Sequence, residues 1–236
     1  MRPETRLTIE RGRQLPLPVQ LDVEARFDTF FEGSNASVVA AIKAPPAPGI
    51  WLSGRVGSGR SHLLQALVAE RSPGSAMYLP LERAFPVSVL DDLPPDMVVC
   101  LDNIEQVLGD AAWERALMVL YERVLIGSGR LVIAAADAVR QTAIVLPDLR
   151  SRFQALVGLR LEFLDDQAQG EALRLRARFR GLELPEETLR YLMSRLPRDP
   201  ASLYAWLARL DEASLSEQRK LTVPFVSEVM RRESGS

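Results

Sequence analysis

"GRVGSGRS", residues 54–61, decides how this chain is read. Gly54, Gly59, Arg60 and Ser61 fall at the spacing G-x-x-x-x-G-K-[ST], with arginine in the lysine place. The stretch follows an apolar run, "IWLSG" (50–54), which predicts a strand, and opens a helical pattern from Gly59 to about Arg71. Strand, loop and helix in that order are the setting a phosphate-gripping loop requires. Its glycines let backbone N–H groups curl around phosphate oxygens without a Cβ in the way, and the helix N-terminus adds partial positive charge. Gly57 and Ser58 belong to the same cradle, and the Ser61 hydroxyl is placed to ligate Mg2+. His62, the single histidine, adjoins the loop as a polar contact and is assigned no catalytic role. Arg60 keeps the positive charge but presents a planar fork bulkier than an ammonium, so binding is expected to survive while catalytic geometry suffers.

Outward from the loop, apolar runs alternate with helical patterns. Strands are predicted at "AMYLPL" (76–81), "MVVCLD" (97–102), "LVIAAAD" (131–137) and "LRLEF" (159–163), with helices between them. With "IWLSG" these make five strands, and such alternation indicates an α/β fold: a parallel sheet covered by helices on both faces. The strand "MVVCLD" ends in Asp102, whose carboxylate would hold the water shell of Mg2+ beside Ser61. The next residue is Asn103, and an amide cannot take a proton from an attacking water. Glu105 follows two residues later, at no position the sequence defines.

After Phe163 the pattern is helical throughout, as in "DDQAQGEALRLRARFRG", "PEETLRYLMSRL", "PASLYAWLARLDEAS" and "TVPFVSEVMRR". Three regions are therefore expected: a flexible arm over 1–22, an α/β nucleotide-binding domain over 23–164 and a small helical lid over 165–236. Ser34 or Asn35 is positioned to cap a short helix ahead of the Pro-rich joint "APPAPG".

Composition excludes several function classes. The 29 basic and 31 acidic residues leave a formal charge of −2, which gives no basis for sequence-independent adhesion to nucleic acid or anionic membrane. One cysteine, Cys100 within "MVVCLD", cannot form an internal disulfide, and a buried reduced thiol in a cytoplasmic protein is expected. No stretch has the form of a secretory signal or a membrane span.

The residues resemble the DnaA-related branch of the AAA+ ATPases, in particular the Hda family of regulatory inactivators of DnaA. The resemblance spans nearly the whole chain and rests on "FDTFFEGSNASVVAAI", "GSGRSHLLQAL", "VVCLDNIEQVLGD", "LPDLRSRF", "LRARFRGLELPEE" and "EQRKLTVPFV". It implies an AAA+ P-loop domain with a helical lid, bound ADP or ATP with Mg2+, and two partners: the DnaA initiator and the DNA polymerase sliding clamp. It also implies that Arg152 acts as a trans arginine finger, stabilising transition-state charge on ATP held by DnaA. Asp137 would be the first sensor. Gln14, Leu15 and Leu17, in "QLPLPV", are similar to the clamp-binding peptide of that family, whose prolines suit an extended segment.

One departure concerns the lid. The family places an arginine where this chain has Ala201, and Arg198 is three residues out of register. No basic helix-turn-helix of the kind that lets an initiator read DNA follows the lid, so direct sequence-specific DNA binding is not expected. The finger surface could also join two copies of the chain. The function expected is a regulator with little turnover of its own. The alternative is an autonomous AAA+ ATPase such as a helicase-loading factor; a small-molecule phosphotransferase is the weakest candidate, since the helical segment supplies no acceptor motif.

Overall fold

A computed structural model describes residues 21–44 and 49–234. The arm residues Gln14, Leu15 and Leu17 lie outside the described residues.

Five strands form one parallel sheet: β1 (Gly49–Gly54), β2 (Ala76–Pro80), β3 (Val98–Asp102), β4 (Arg130–Ala135) and β5 (Val157–Leu161). Their order is β2-β3-β4-β1-β5. The strand that feeds the phosphate loop therefore lies inside the sheet, with Trp51 opposite Ile133 of β4 and opposite Gly158 of β5. Side chains alternate along each strand. Trp51, Val99, Leu101 and Ile133 face one apolar cluster, while Ile50, Leu52, Cys100 and Val132 face another.

Helices α1 (Ala36–Lys43) and α2 (Arg60–Ala69) supply the second of these clusters through residues such as Ile42, Leu63, Leu64 and Leu67. Helices α3 (Ala111–Ile126) and α4 (Pro147–Gln154) supply the first, with Leu117, Tyr121, Leu149 and Phe153. Both faces of the sheet are thus covered, as parallel strands require. The third cluster is built only from lid residues, Leu173 to Val229. It lies among α5 (Asp166–Phe179), α6 (Glu186–Arg195), α7 (Pro200–Glu217) and α8 (Val223–Ser234).

Two local expectations are corrected. Asn35 precedes α1 but its side chain makes no cap bond. Instead it is buried and exchanges two hydrogen bonds with the Glu162 backbone, donating from Nδ2 to the carbonyl (3.0 Å) and accepting at Oδ1 from the N–H (2.8 Å). This side-chain bridge takes over where the last strand stops: β5 covers 157–161 rather than 159–163, because β1 pairs with Val157 through Leu161.

A buried arginine fixes the end of α1. Arg130, 1% exposed, donates to the carbonyls of Ile42 (2.7 Å), Ala41 (3.1 Å) and Ala44 (3.2 Å). These are carbonyls that a helix C-terminus leaves without partners, and a cation there also complements the helix dipole.

Candidate functional site: a phosphate cradle under a helical lid

The loop leaves β1 at Gly54 and turns between Arg55 and Ser58, where the Ser58 N–H donates to the Arg55 carbonyl (3.0 Å). Gly57 (φ +83°) and Gly59 (φ +97°) both adopt the left-handed conformation. A Cβ on Gly59 would also come within 2.6 Å of the Phe30 ring. Alternation of this kind points successive N–H groups into one concavity, an anion-binding geometry. Helix α2 starts at once with Arg60, so its free N–H groups face the same space.

That space is a cleft of about 540 Å³ between the loop, the segment 22–31 and the lid. Its wall includes Gly57 through His62 on one side and Arg176, Pro200, Ala201 and Tyr204 of the lid on the other. Three residues of this wall carry a buried polar atom without a hydrogen-bond partner: Arg60 Nη1, Arg176 Nε and Ser58 Oγ, the last turned against Gly54 at the foot of the loop. These residues are 7%, 8% and 5% exposed. Unsatisfied buried donors are costly in a fold, and an arginine on each wall gives the cleft the charge that suits an anionic ligand.

Arg60 Nη1 lies 3.7 Å from Glu105 Oε1. Asn103 accounts for this meeting. It takes the left-handed conformation (φ 56°), which asparagine tolerates better than most residues. The chain is thereby turned from β3 into a short 3-10 helix, Ile104–Gln106, carrying Glu105 to the cleft. Glu105 Oε2 also accepts from the Ala136 N–H (3.4 Å). The sequence signal for this acid was only its distance from Asp102, which does not say where a turn will aim it.

Asp102 is 1% exposed, and both its oxygens are engaged: Oδ2 accepts from the Tyr78 hydroxyl (2.8 Å) and Oδ1 from the Asn103 N–H (2.9 Å). Burial, with the Asp102 carboxylate beside it, raises the Tyr78 phenol well above its ordinary value, so it stays protonated as the donor. Ser61 is exposed on the cleft. No group of three metal-ligating side chains occurs among the described residues. Ser61, open to the cleft, and Asp102, held by Tyr78 and the Asn103 N–H, would suit Mg2+ only in the form that keeps its waters and leans on ligand phosphates.

His62 is more than a surface contact. Its Nε2 faces the Arg26 carbonyl (2.7 Å), its Nδ1 faces Arg176 Nη2 (3.3 Å), and its ring is tilted on Phe30. A carbonyl only accepts and a guanidinium only donates, so the proton sits on Nε2. Burial pushes the imidazole down to about 4.

The other expected site residues lie elsewhere. Gly54 borders a second, larger cavity of about 870 Å³ on the β5 side of β1. Asp137, two residues past the end of β4, lines that cavity and not the cradle, and its carbonyl accepts from Trp51 Nε1 (2.9 Å). It shares that cavity with Gly54 and Arg55 at the start of the loop, while Glu105 is the acid on the cleft side. Arg152 lies on α4 outside both cavities, exposed, and among the described residues its side chain has no hydrogen bond or ion pair. Its neighbour in the sequence, Phe153, is fully buried against Trp51 and Tyr121 and turns Arg152 outward. Arg150 by contrast donates to the Ile144 carbonyl.

A parallel sheet ordered 5-1-4-3-2 with a phosphate loop after β1 and a helical lid over it defines the AAA+ class of P-loop folds. Domain III of the replication initiator DnaA from Thermotoga maritima superposes with a TM-score of 0.72 at 16% identity, over 90% of this chain and 98% of that one. AMPPCP-bound DnaA from Aquifex aeolicus gives 0.65 at 17% identity, over 92% and 71%. The RuvB branch migration motor of T. maritima gives 0.57 at 18% identity, over 78% and 61%. The family model described as "Hda, lid domain" matches residues 166–230. The chain thus shares the fold of DnaA-type domains, and its lid segment, residues 166–230, is similar to the Hda lid.

Proposed function

We propose that this chain is a nucleotide-holding regulator of replication initiation that acts on the ATP of another protein. In this reading ADP or ATP occupies the cradle, the arm residues Gln14, Leu15 and Leu17 dock on a DNA-loaded sliding clamp, and Arg152 reaches into the pocket of DnaA to stimulate hydrolysis there.

The observation that carries the reading is a contrast between two arginines. Arg60, the cation of the chain's own cradle, is buried and paired with Glu105. Arg152 is exposed and unpaired among the described residues, on a helix anchored by Phe153. A buried cation in the cradle suits holding phosphates, whereas an exposed guanidinium on an anchored helix suits completing a neighbour's site. Residues 57–61 would hold the phosphates, and the apolar wall of Phe31, Leu164, Pro200 and Ala201 would receive the base. Mg2+, when bound, would neutralise phosphate charge; Ser61 would be its ligand, and Tyr78 keeps Asp102 oriented behind it.

The test is stimulation of DnaA ATP hydrolysis in the presence of loaded clamp. Arg152→Ala is expected to abolish it, a loss of about 10³-fold or more, while leaving clamp capture intact. Replacing Gln14, Leu15 and Leu17 together by alanine is expected to abolish capture by immobilised clamp. Unchanged stimulation by Arg152→Ala removes the finger from the account.

A second reading, an autonomous ATPase, is favoured by Glu105, a carboxylate in the cleft where Asn103 cannot act as a base. Steady-state phosphate release by the chain alone above about one per second, within the ordinary enzyme range, would establish it. Release far below that rate supports the regulator.

A further inference from the structure

The lid position where the related fold would place a charge is Ala201, which lines the cleft without one. Helix α5 supplies a different cation to the same wall. Arg176 lies with its guanidinium carbon 4.0 Å from the centre of the Tyr204 ring, in a cation–π contact. Its Nη2 donates to His62 Nδ1 (3.3 Å), and its Nη1 lies 3.4 Å from Glu24 Oε2. Charge-assisted N–H···O bonds close to about 2.8 Å, so this pairing is loose. Glu24 makes its tighter pair with Arg180.

Arg176 is therefore a permanently charged group, 8% exposed, with one loose anionic neighbour and a buried Nε that donates to nothing. Across the same cleft stands Arg60, whose Nη1 makes no hydrogen bond and lies 3.7 Å from Glu105. An arginine cannot shed its proton to escape this situation. One chemistry answers both arginines at once: a phosphate chain, which offers several acceptor oxygens to donors on both walls.

We propose that Arg176 is the phosphate-binding residue of the lid, serving from α5 in place of a charge at position 201, and that Glu24 competes with the nucleotide for its guanidinium. This rests on the cleft being the nucleotide site. His62 presents Arg176 to the cleft through its unprotonated Nδ1, and Tyr204 packs its ring against the guanidinium. Binding draws α5 and α2 onto one ligand and leaves Glu24 to Arg180.

Calorimetric titration of the full chain with ADP and with AMPPCP tests this. Arg176→Ala is expected to weaken ADP binding about tenfold or more, with Arg176→Lys intermediate. Glu24→Gln, which removes the competitor but keeps its shape, is expected to tighten binding about two- to fivefold. A purely structural link between the lid and the 22–26 segment predicts the opposite for Glu24→Gln, a weakening that parallels Arg176→Ala, and that result overturns the proposal even if the Arg176 variant folds poorly. Wild-type chain that binds while Arg176→Ala binds equally well removes Arg176 alone. Wild-type chain that takes neither nucleotide removes the nucleotide reading itself, and the assignment of Arg176 with it.

Discussion

His62 shows how much one side chain can be asked to do. It links the 22–31 segment, through the Arg26 carbonyl, to the lid, through Arg176. That arrangement requires a neutral ring, and burial lowers its pKa to about 4, with the Arg176 charge pushing the same way and Asp22 opposing. An unfolded chain takes up this proton near pH 6.5, whereas the folded chain refuses it down to about 4. The fold therefore loses stability from this residue as pH falls through that window and is indifferent to it above. Thermal melts of wild type and His62→Gln at pH 7.5, 6 and 5 are expected to show the wild type losing more on acidification. A constant difference between the two across that range would show that the ring titrates as it does in water.

At the scale of elements, helix α4, which carries Arg152, is set by a residue on a different helix. Glu114 of α3, 1% exposed, accepts from the N–H groups of Gly109 (2.9 Å), Val145 (2.9 Å) and Leu146 (2.6 Å). Val145 and Leu146 lead directly into α4, so this carboxylate fixes where the helix begins and hence where Arg152 emerges. Glu114→Ala leaves three backbone donors without an acceptor. It is expected to destabilise the chain by about 1–3 kcal/mol and to reduce stimulation of DnaA hydrolysis at temperatures where the variant is still folded, with nucleotide affinity unchanged. Equal losses of nucleotide affinity and stimulation would mean general loosening instead. The sequence made the elements readable, because five apolar runs and amphipathic helices with Pro and Gly punctuation follow from local chemistry. It could not reveal Glu114, Asn35 or Arg130, which resemble ordinary helix or strand residues until tertiary contacts assign their partners. Glu105 was hidden for a related reason: its aim depends on the backbone conformation of Asn103, not on spacing.

At the scale of the whole molecule, the cleft joins two bodies with separate apolar cores, the sheet with its helices and the lid. The loop side of the site was legible, since Gly57 to Ser61 carry the pattern in consecutive residues. The lid side was not, because Arg176 meets His62 across 114 positions of sequence. A ligand spanning both bodies should stabilise them together: ADP at a hundredfold excess over its Kd is expected to add about 2.7 kcal/mol. Hydrogen exchange should then slow in α2 and α5 at once. Protection confined to α2 would show that the lid does not share the ligand.

The single thiol offers an experimental opening. Cys100 is fully buried on β3, and desolvation pushes it up to about 12, so at neutral pH it supplies almost no thiolate for alkylation. Two cysteines introduced at exposed positions, one on α4 and one on α5, would be the thiols a maleimide dye can reach. Pairs of such dyes could report the distance between those helices in real time, without first stripping the native sequence of its own sulfhydryl.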